Sequence, residues 1–240
     1  MTGNFDNSMR EAAFRYLKKQ PLFHTDMTET LRSGDGKILW AGEHGVLLQT
    51  AGVTMISAEE ESTARQIMAA LPKTNLIEVH QDFYREALQR KTGLSCGVIC
   101  RQAAWMKKKP LLPVPESAEI RPLSAEALPF IMQHYKHADD EEYLRDRLQS
   151  GCMWGAYRGE CLTGFIGIHE EGSMGFLQVI PEYQRQGIAA QLETFLANRM
   201  ISCGRVPFAQ IETDNQASFA LHRKLGFEIS KQQLYWLMIC

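Results

Sequence analysis

Pro110, Pro113 and Pro115 fall within six residues of one another, directly after Lys107, Lys108 and Lys109. Each proline fixes φ and removes a backbone donor, so KKKPLLPVPESAE can neither continue a helix nor sit inside a sheet. It reads as an extended linker over 111–118 that divides the 240-residue chain into 1–110 and 119–240. Pieces of roughly 110 to 120 residues each support their own core, so neither needs a disulfide or a metal to hold together.

The two pieces share an order of elements. After the linker, AEIRPL reads as a strand and SAEALPFIMQHY as a helix capped by Ser124. DDEEYLRDRLQSG follows as a helix closed by Gly151, and then MWGAYRGECLTGFIGIHEEGSMGFLQVI as three antiparallel strands. Ile188, Leu192, Phe195 and Leu196 recur at helical spacing up to Gly204. PFAQIET is a strand, QASFALHRKLG a helix, and FEIS and QQLYWLMI are final strands. Before the linker come a helix over 8–19, strands in KILWAGEHGVLLQTAGVTMIS, a helix in STARQIMAAL, a strand NLIEVH, a helix DFYREALQRKTG and a strand CGVICRQAAW. LQRKTGL (88–94) sits over LHRKLGF (221–227), and LRSG (31–34) over LQSG (148–151). The expectation is a duplicated, mixed α/β fold with a mixed sheet in each half.

Composition excludes several classes. With 45% hydrophobic and 22% charged residues the chain is globular, not disordered. A net charge of -2 offers no general attraction to nucleic acid or to an acidic membrane. No apolar run is long enough to span a bilayer, and the polar start MTGNFDNSMR does not read as a secretory signal. Cys96, Cys100, Cys152, Cys161, Cys203 and Cys240 therefore read as reduced thiols of a cytoplasmic protein. No second pair with zinc spacing follows Cys96 and Cys100, so no metal is expected. His134, His137, Asp139, Asp140, Glu141 and Glu142 read as a solvated helix start, because acidic residues favour the first turn. Trp154, Tyr235 and Trp236 read as core.

GFLQVIPEYQRQGIAAQLETFL carries the chemistry. A strand runs to Pro181, and a helix starts within Gln184-Arg185-Gln186-Gly187-Ile188-Ala189. Gly187 lets a ligand approach the backbone, and the N–H groups of the helix's first turn suit an anion. Gln184 and Arg185 add donors. The segment lacks the Gly-Lys-Ser/Thr of a P-loop and the G-x-G-x-x-G of dinucleotide folds. The physical reading is a pyrophosphate cradle.

Gln184-x-x-Gly187-x-Ala189, together with Asn215-Gln216-Ala217-Ser218 through Leu225-Gly226-Phe227, resembles the GNAT (Gcn5-related) N-acetyltransferases over residues 119–240. EEGSMGFLQVIPEYQRQG and DNQAS look most like the glycine N-acyltransferase-like branch, which also carries a degenerate N-terminal lobe. The resemblance implies acetyl-CoA as acyl donor. Its pantetheine would bond the backbone of Leu177, Gln178 and Val179. Its pyrophosphate would meet the N–H groups from Arg185 through Gln186, Gly187, Ile188 and Ala189 to Ala190. Asn215 would hold the pantetheine arm from the far side.

The family's thiolate-protonating Tyr falls at His222, and its strand-borne Glu at Ser173. Ser173 could hold a water, while Glu171 leads Glu170 and Glu212 as candidate base. The expected acceptor is a small-molecule primary amine, with a cationic one favoured by the acid cluster. Alternatives are a non-catalytic acetyl-CoA-binding or regulatory protein, and a protein N-acetyltransferase. Monomer and homodimer stay open.

The counterpart of the cradle in the N-terminal half is Ser57-Ala58-Glu59-Glu60-Glu61-Ser62-Thr63-Ala64. It has no glycine and three acidic residues, so that half is expected to bind no second cofactor.

Overall fold

The structure, a computed structural model, describes residues 2–136 and 140–239, with side chains from residue 7 onward. The residues pack as two units whose bounds do not follow the linker. The first comprises Met1–Ala104, Gln210–Gln216 and Glu228–Cys240, and the second Trp105–Ala209 and Ala217–Phe227.

The first unit opens with helices α1 (Thr2–Leu17) and α2 (Thr25–Ser33). Strands β1 (Lys37–Gly42), β2 (Gly45–Thr50) and β3 (Val53–Ala58) form an antiparallel meander. Helix α3 (Glu61–Ala69) crosses over to β4 (Leu76–Val79), which lies parallel to β3. Helix α4 (Arg85–Thr92) leads to β5 (Ser95–Ala104). One sheet face packs Leu47, Ile56, Ile77 and Val79 against Ala64, Ile67 and Leu88 of α3 and α4. The other packs Val46, Leu48 and Met55 against Ala13, Tyr16, Leu17, Met27 and Leu31 of α1 and α2.

The second unit repeats this order. Strand β6 (Glu119–Pro122) and helices α5 (Leu128–His134) and α6 (Glu141–Gln149) precede β7 (Met153–Arg158), β8 (Cys161–Ile168) and β9 (Met174–Val179). Helix α7 (Ile188–Ser202), strand β10 (Phe208–Glu212) and helix α8 (Gln216–Leu225) follow. Ala156, Ile166 and Met174 meet Ile188, Leu192, Leu196 and Met200 of α7, with Trp154 in the same cluster. Met153, Phe165 and Phe176 meet Leu128, Ile131, Leu144 and Leu148 of α5 and α6. The strands of each unit, all part of one large mixed sheet, are thus covered by helices on both faces, the mixed α/β class expected from the order of elements.

The chain then returns to the first unit. Strand β11 (Glu228–Ile229) pairs Ala103 and Ala104 of β5. Strand β12 (Leu234–Met238) inserts between β4 and β5, antiparallel to both. Leu234 and Leu237 are fully buried there, each contributing about 2 kcal/mol of transfer free energy. The end of the chain therefore completes the sheet of its beginning. Repeat matching follows the helix ends: Gly34 and Gly151 have φ +88° and +67°, and Gly93 and Gly226 have +76° and +91°. The matched letters mark left-handed helix exits, which favour glycine at no steric cost.

Candidate active site

β9 is bent within its own ladder. Against β8 it pairs from Met174–Ile168 to Val179–Gly164, with a register shift opposite Phe165 to Gly167. It also pairs in parallel with β10 at Met174–Ala209. Just past that point Phe176 takes φ +57°, a left-handed conformation that costs a non-glycine residue about 1–2 kcal/mol. A bulge of this kind bends a strand out of its ladder. The ring repays part of the strain: it is 3% exposed and stacks on His169 at 4.0 Å between centroids. Leu177 and Gln178, the expected pantetheine partners, follow the bulge and are half-buried. The Val179 carbonyl already accepts from Gln184 Nε2 at 3.0 Å, so of that residue only other atoms remain for a ligand.

Pro181–Tyr183 forms a single 3-10 turn, and Gln184, Arg185, Gln186 and Gly187 carry the chain into α7. Gly187 is the N-cap at φ +90°, and no side chain caps the helix. The first-turn N–H groups, including those of Ile188, Ala189 and Ala190, are therefore left for an anion. Arg185 also takes a left-handed φ, +61°. Strain in a non-glycine residue beside an uncapped helix start is characteristic of a ligand loop.

The β8–β9 turn gathers the base candidates. Glu171 is 9% exposed and Ser173 3%. The Ser173 hydroxyl donates to Glu171 Oε1 in a short hydrogen bond. Tyr143 of α6 lies 2.9 Å from His169 Nδ1, and its oxygen accepts from the Glu170 N–H. Burial, then the charge of Glu171, pushes the Tyr143 hydroxyl well above its ordinary pKa, so it stays protonated. Glu170 is 3.6 Å from Arg147. Glu212, the third candidate, lies in 210–216, with the first unit.

His222 lies between α8 and α7. It is 3% exposed, with Nδ1 2.9 Å from the Ser218 carbonyl and Nε2 3.0 Å from Glu193 Oε1 on α7. Burial works against its charge, but the Glu193 carboxylate and the Ser218 carbonyl outweigh it and raise its pKa. Both ring nitrogens face protein groups that bind α8 to α7. Asn215 follows β10 in the turn closed by its N–H to the Glu212 carbonyl, 3.0 Å, in residues assigned to the first unit.

In the acid cluster, Asp140 caps α6 by accepting from the Tyr143 N–H at 2.9 Å, and Glu141 pairs with Arg145. His134 ends α5 with its ring on Phe130, while His137 and Asp139 lie outside the described residues. Asp26, Glu78 and His80, in the first unit, form the one group of metal-ligating types among the described residues. They are filled from within. Gln210 Nε2 donates to Glu78 Oε1 at 2.5 Å and lies 3.5 Å from Asp26 Oδ2, so an amide stands between the two carboxylates. Trp236 Nε1 donates to Gln210 Oε1 at 2.6 Å, which fixes the amide's orientation.

Sequence reasoning did not find Glu193, Tyr143 or His169. Glu193 reads as one more polar residue of α7, and nothing local marks it as the partner of a residue on the next helix.

Residues 118–227 match the family model described as the acetyltransferase (GNAT) family. No curated protein matches the chain. A Drosophila protein of known structure matches with TM-score 0.70 at 14% identity, covering 98% of this chain and 96% of its own. A putative GNAT acetyltransferase from Novosphingobium aromaticivorans matches with TM-score 0.57 at 15% identity, covering 92% and 99%. A GNAT acetyltransferase from Colwellia psychrerythraea matches with TM-score 0.52 at 12% identity, covering 92% and 94%. At these identities the structures speak for the fold. The family match falls on the segment that holds the Phe176 bulge, the uncapped α7 and the β8–β9 turn: over residues 118–227 the chain is similar to the acetyltransferase (GNAT) family.

Proposed function

We propose that the protein transfers acetyl from acetyl-CoA to the primary amine of a small molecule, by direct attack of the amine on the thioester. The observation that carries this reading is the bulge of β9 at left-handed Phe176, followed by a helix start at Gly187 that no side chain caps. An extended arm suits a strand bent in this way, and a pyrophosphate suits the helix start. Glu171 accepts the proton of the incoming ammonium, and Ser173 orients the carboxylate. The neutral amine attacks the carbonyl carbon, whose oxygen leans on strand N–H groups at the bulge. The nitrogen, cationic after the attack, gives its second proton to solvent water, the C–S bond breaks, and the thiolate takes a proton from solvent. His222 holds α8 to α7 in this scheme and does not touch the thiolate. The buried carboxylate also favours a cationic acceptor over a neutral one. EEGSMGFLQVIPEYQRQG supports placement near the glycine N-acyltransferase-like branch.

Free-thiol release from acetyl-CoA over a panel of primary amines tests the reading. At least one amine should drive release, and Glu171→Gln should lower kcat about 100-fold with acetyl-CoA affinity unchanged. Tight acetyl-CoA binding with no release by any amine would make the protein a non-catalytic binder.

A further inference from the structure

The loop 184–187 is held from outside by the linker. The Leu111 N–H donates to Asn198 Oδ1 at 2.7 Å, and Asn198 Nδ2 returns to the Leu111 carbonyl at 3.2 Å. The N–H groups of Ser117 and Ala118 donate to Gln191 Oε1 at 2.8 and 3.0 Å, and Gln191 Nε2 donates to the Ala118 carbonyl at 2.7 Å. The linker is thus strapped along α7, and Ser117 comes to rest on Gly187. A β-carbon at position 187 would meet Ser117 Oγ at 2.9 Å.

Ser117 then places an arginine. Arg158, the last residue of β7, donates from Nε to the Ser117 carbonyl at 2.9 Å and from Nη1 to Gln186 Oε1 at 2.5 Å. Its guanidinium lies over the Tyr183 ring, 5.7 Å from the centroid. Both anchors are neutral acceptors, and among the described residues no carboxylate pairs with Arg158. A guanidinium is always charged and presents five donors. Here it is fixed in place, without a counter-charge, beside the positive end of α7. Two adjacent sources of positive potential repel each other unless an anion lies between or beside them. The pyrophosphate satisfies the helix start, which leaves a second anion for the arginine.

We propose that Arg158 binds the 3′-phosphate of coenzyme A. The site thereby selects free acyl-CoA over donors that carry the same pantetheine arm without that phosphate. The inference rests on the acetyl-CoA reading above, but it concerns a different part of the ligand. A phosphate monoester carries close to two charges at neutral pH and accepts a forked guanidinium well. Ser117 and Gln186 act as positioning residues that aim the fork.

Calorimetric titration of the full chain with CoA and with 3′-dephospho-CoA tests it. Wild type should bind CoA about tenfold tighter than dephospho-CoA. Arg158→Gln should lose that preference, weakening CoA about tenfold and leaving dephospho-CoA within twofold. Arg158→Lys, which keeps the charge without the fork, should fall between. Retention of dephospho-CoA affinity reports directly that the variant is folded. Equal weakening of both ligands, or of neither, overturns the assignment while leaving the acetyl-CoA reading intact. Failure of wild type to bind either ligand overturns both.

Discussion

The two units share the order from the helix pair before the meander to the helix after the parallel strand, and they differ in the strand that feeds the crossover helix. In the second unit β9 shifts register against β8 at a left-handed Phe176. In the first unit β3 and β4 pair at Thr54–Ile77, Met55–Glu78 and Ile56–Val79, and the His80 N–H extends the ladder to the Ile56 carbonyl at 3.0 Å. The helix starts differ in the same sense. Neither start is capped by a side-chain hydrogen bond, but α7 begins at a glycine, whereas α3 begins at Glu60 with Glu61 in its first turn. Glu59 is paired with Lys19 at 2.8 Å, and the Ala58 N–H is taken by Gln81 Oε1 at 2.9 Å. The carboxylates at the start of α3 place negative charge where α7 has none.

The largest effect should come from blocking the start of α7. Gly187→Glu places a like charge at the phosphate, forces a strained φ and drives a β-carbon into Ser117. Acetyl-CoA affinity should fall at least 100-fold, about 3 kcal/mol, and the ligand-induced rise in melting temperature should vanish. The converse change, Glu59, Glu60 and Glu61 all to Gln, should create no second site, because β3 and β4 remain zipped. Binding gained by that variant would show that charge alone, and not the strand that feeds the helix, separates the units.

Each unit also buries one histidine–carboxylate pair. His80 Nε2 lies 3.1 Å from Asp26 Oδ2, and His222 Nε2 3.0 Å from Glu193 Oε1. Burial alone would raise the Asp26 pKa, yet His80 and the Met27 N–H hold it below the usual carboxylate range. Removing one partner leaves the other unpaired in the interior, so Asp26→Ala and Glu193→Ala should each cost about 3–5 kcal/mol in urea unfolding. A loss under about 1 kcal/mol in either would place that pair in solvent contact.

The units should answer pH with opposite signs. Burial, with His80 nearby, lowers the His24 pKa to about 4 from 6.5. Below pH 6.5 the unfolded chain therefore binds a proton that the folded chain refuses, and stability falls by up to about 3 kcal/mol by pH 4. The His222 pKa is raised, so its contribution is complete below 6.5 and is lost as pH rises through the folded value. His24→Gln should flatten the acid limb of the stability profile, and His222→Gln the alkaline limb. An acid limb unchanged by His24→Gln would exclude that ring as its origin.

The sequence made the order of elements legible because its punctuation is strong: glycines at 34, 93, 151 and 226 end helices in both halves with left-handed φ. α2 was not legible. TDMTETLRS shows little apolar periodicity, yet Thr25, Asp26, Glu29 and Thr30 are buried, the polar ones among polar partners. Pattern reading expects such residues outside. The destination of β12 was equally hidden, since a strand's letters report that it is buried and not which strand it joins. At the site, Gln184 to Ala190 could be read because a glycine at a strand-to-helix turn has a local cause. His222 could be placed on its helix, but its Glu193 partner is a tertiary fact. The Glu171–Ser173 bond joins two residues that sequence could only set side by side as candidates.

Stoichiometry tests the comparison most directly. Calorimetric titration of the full chain with acetyl-CoA should give one site per chain, and Gly187→Glu should abolish it. Two sites per chain, one of them surviving Gly187→Glu, would show that the zipped seam of β3 and β4 binds cofactor, and would contradict the account.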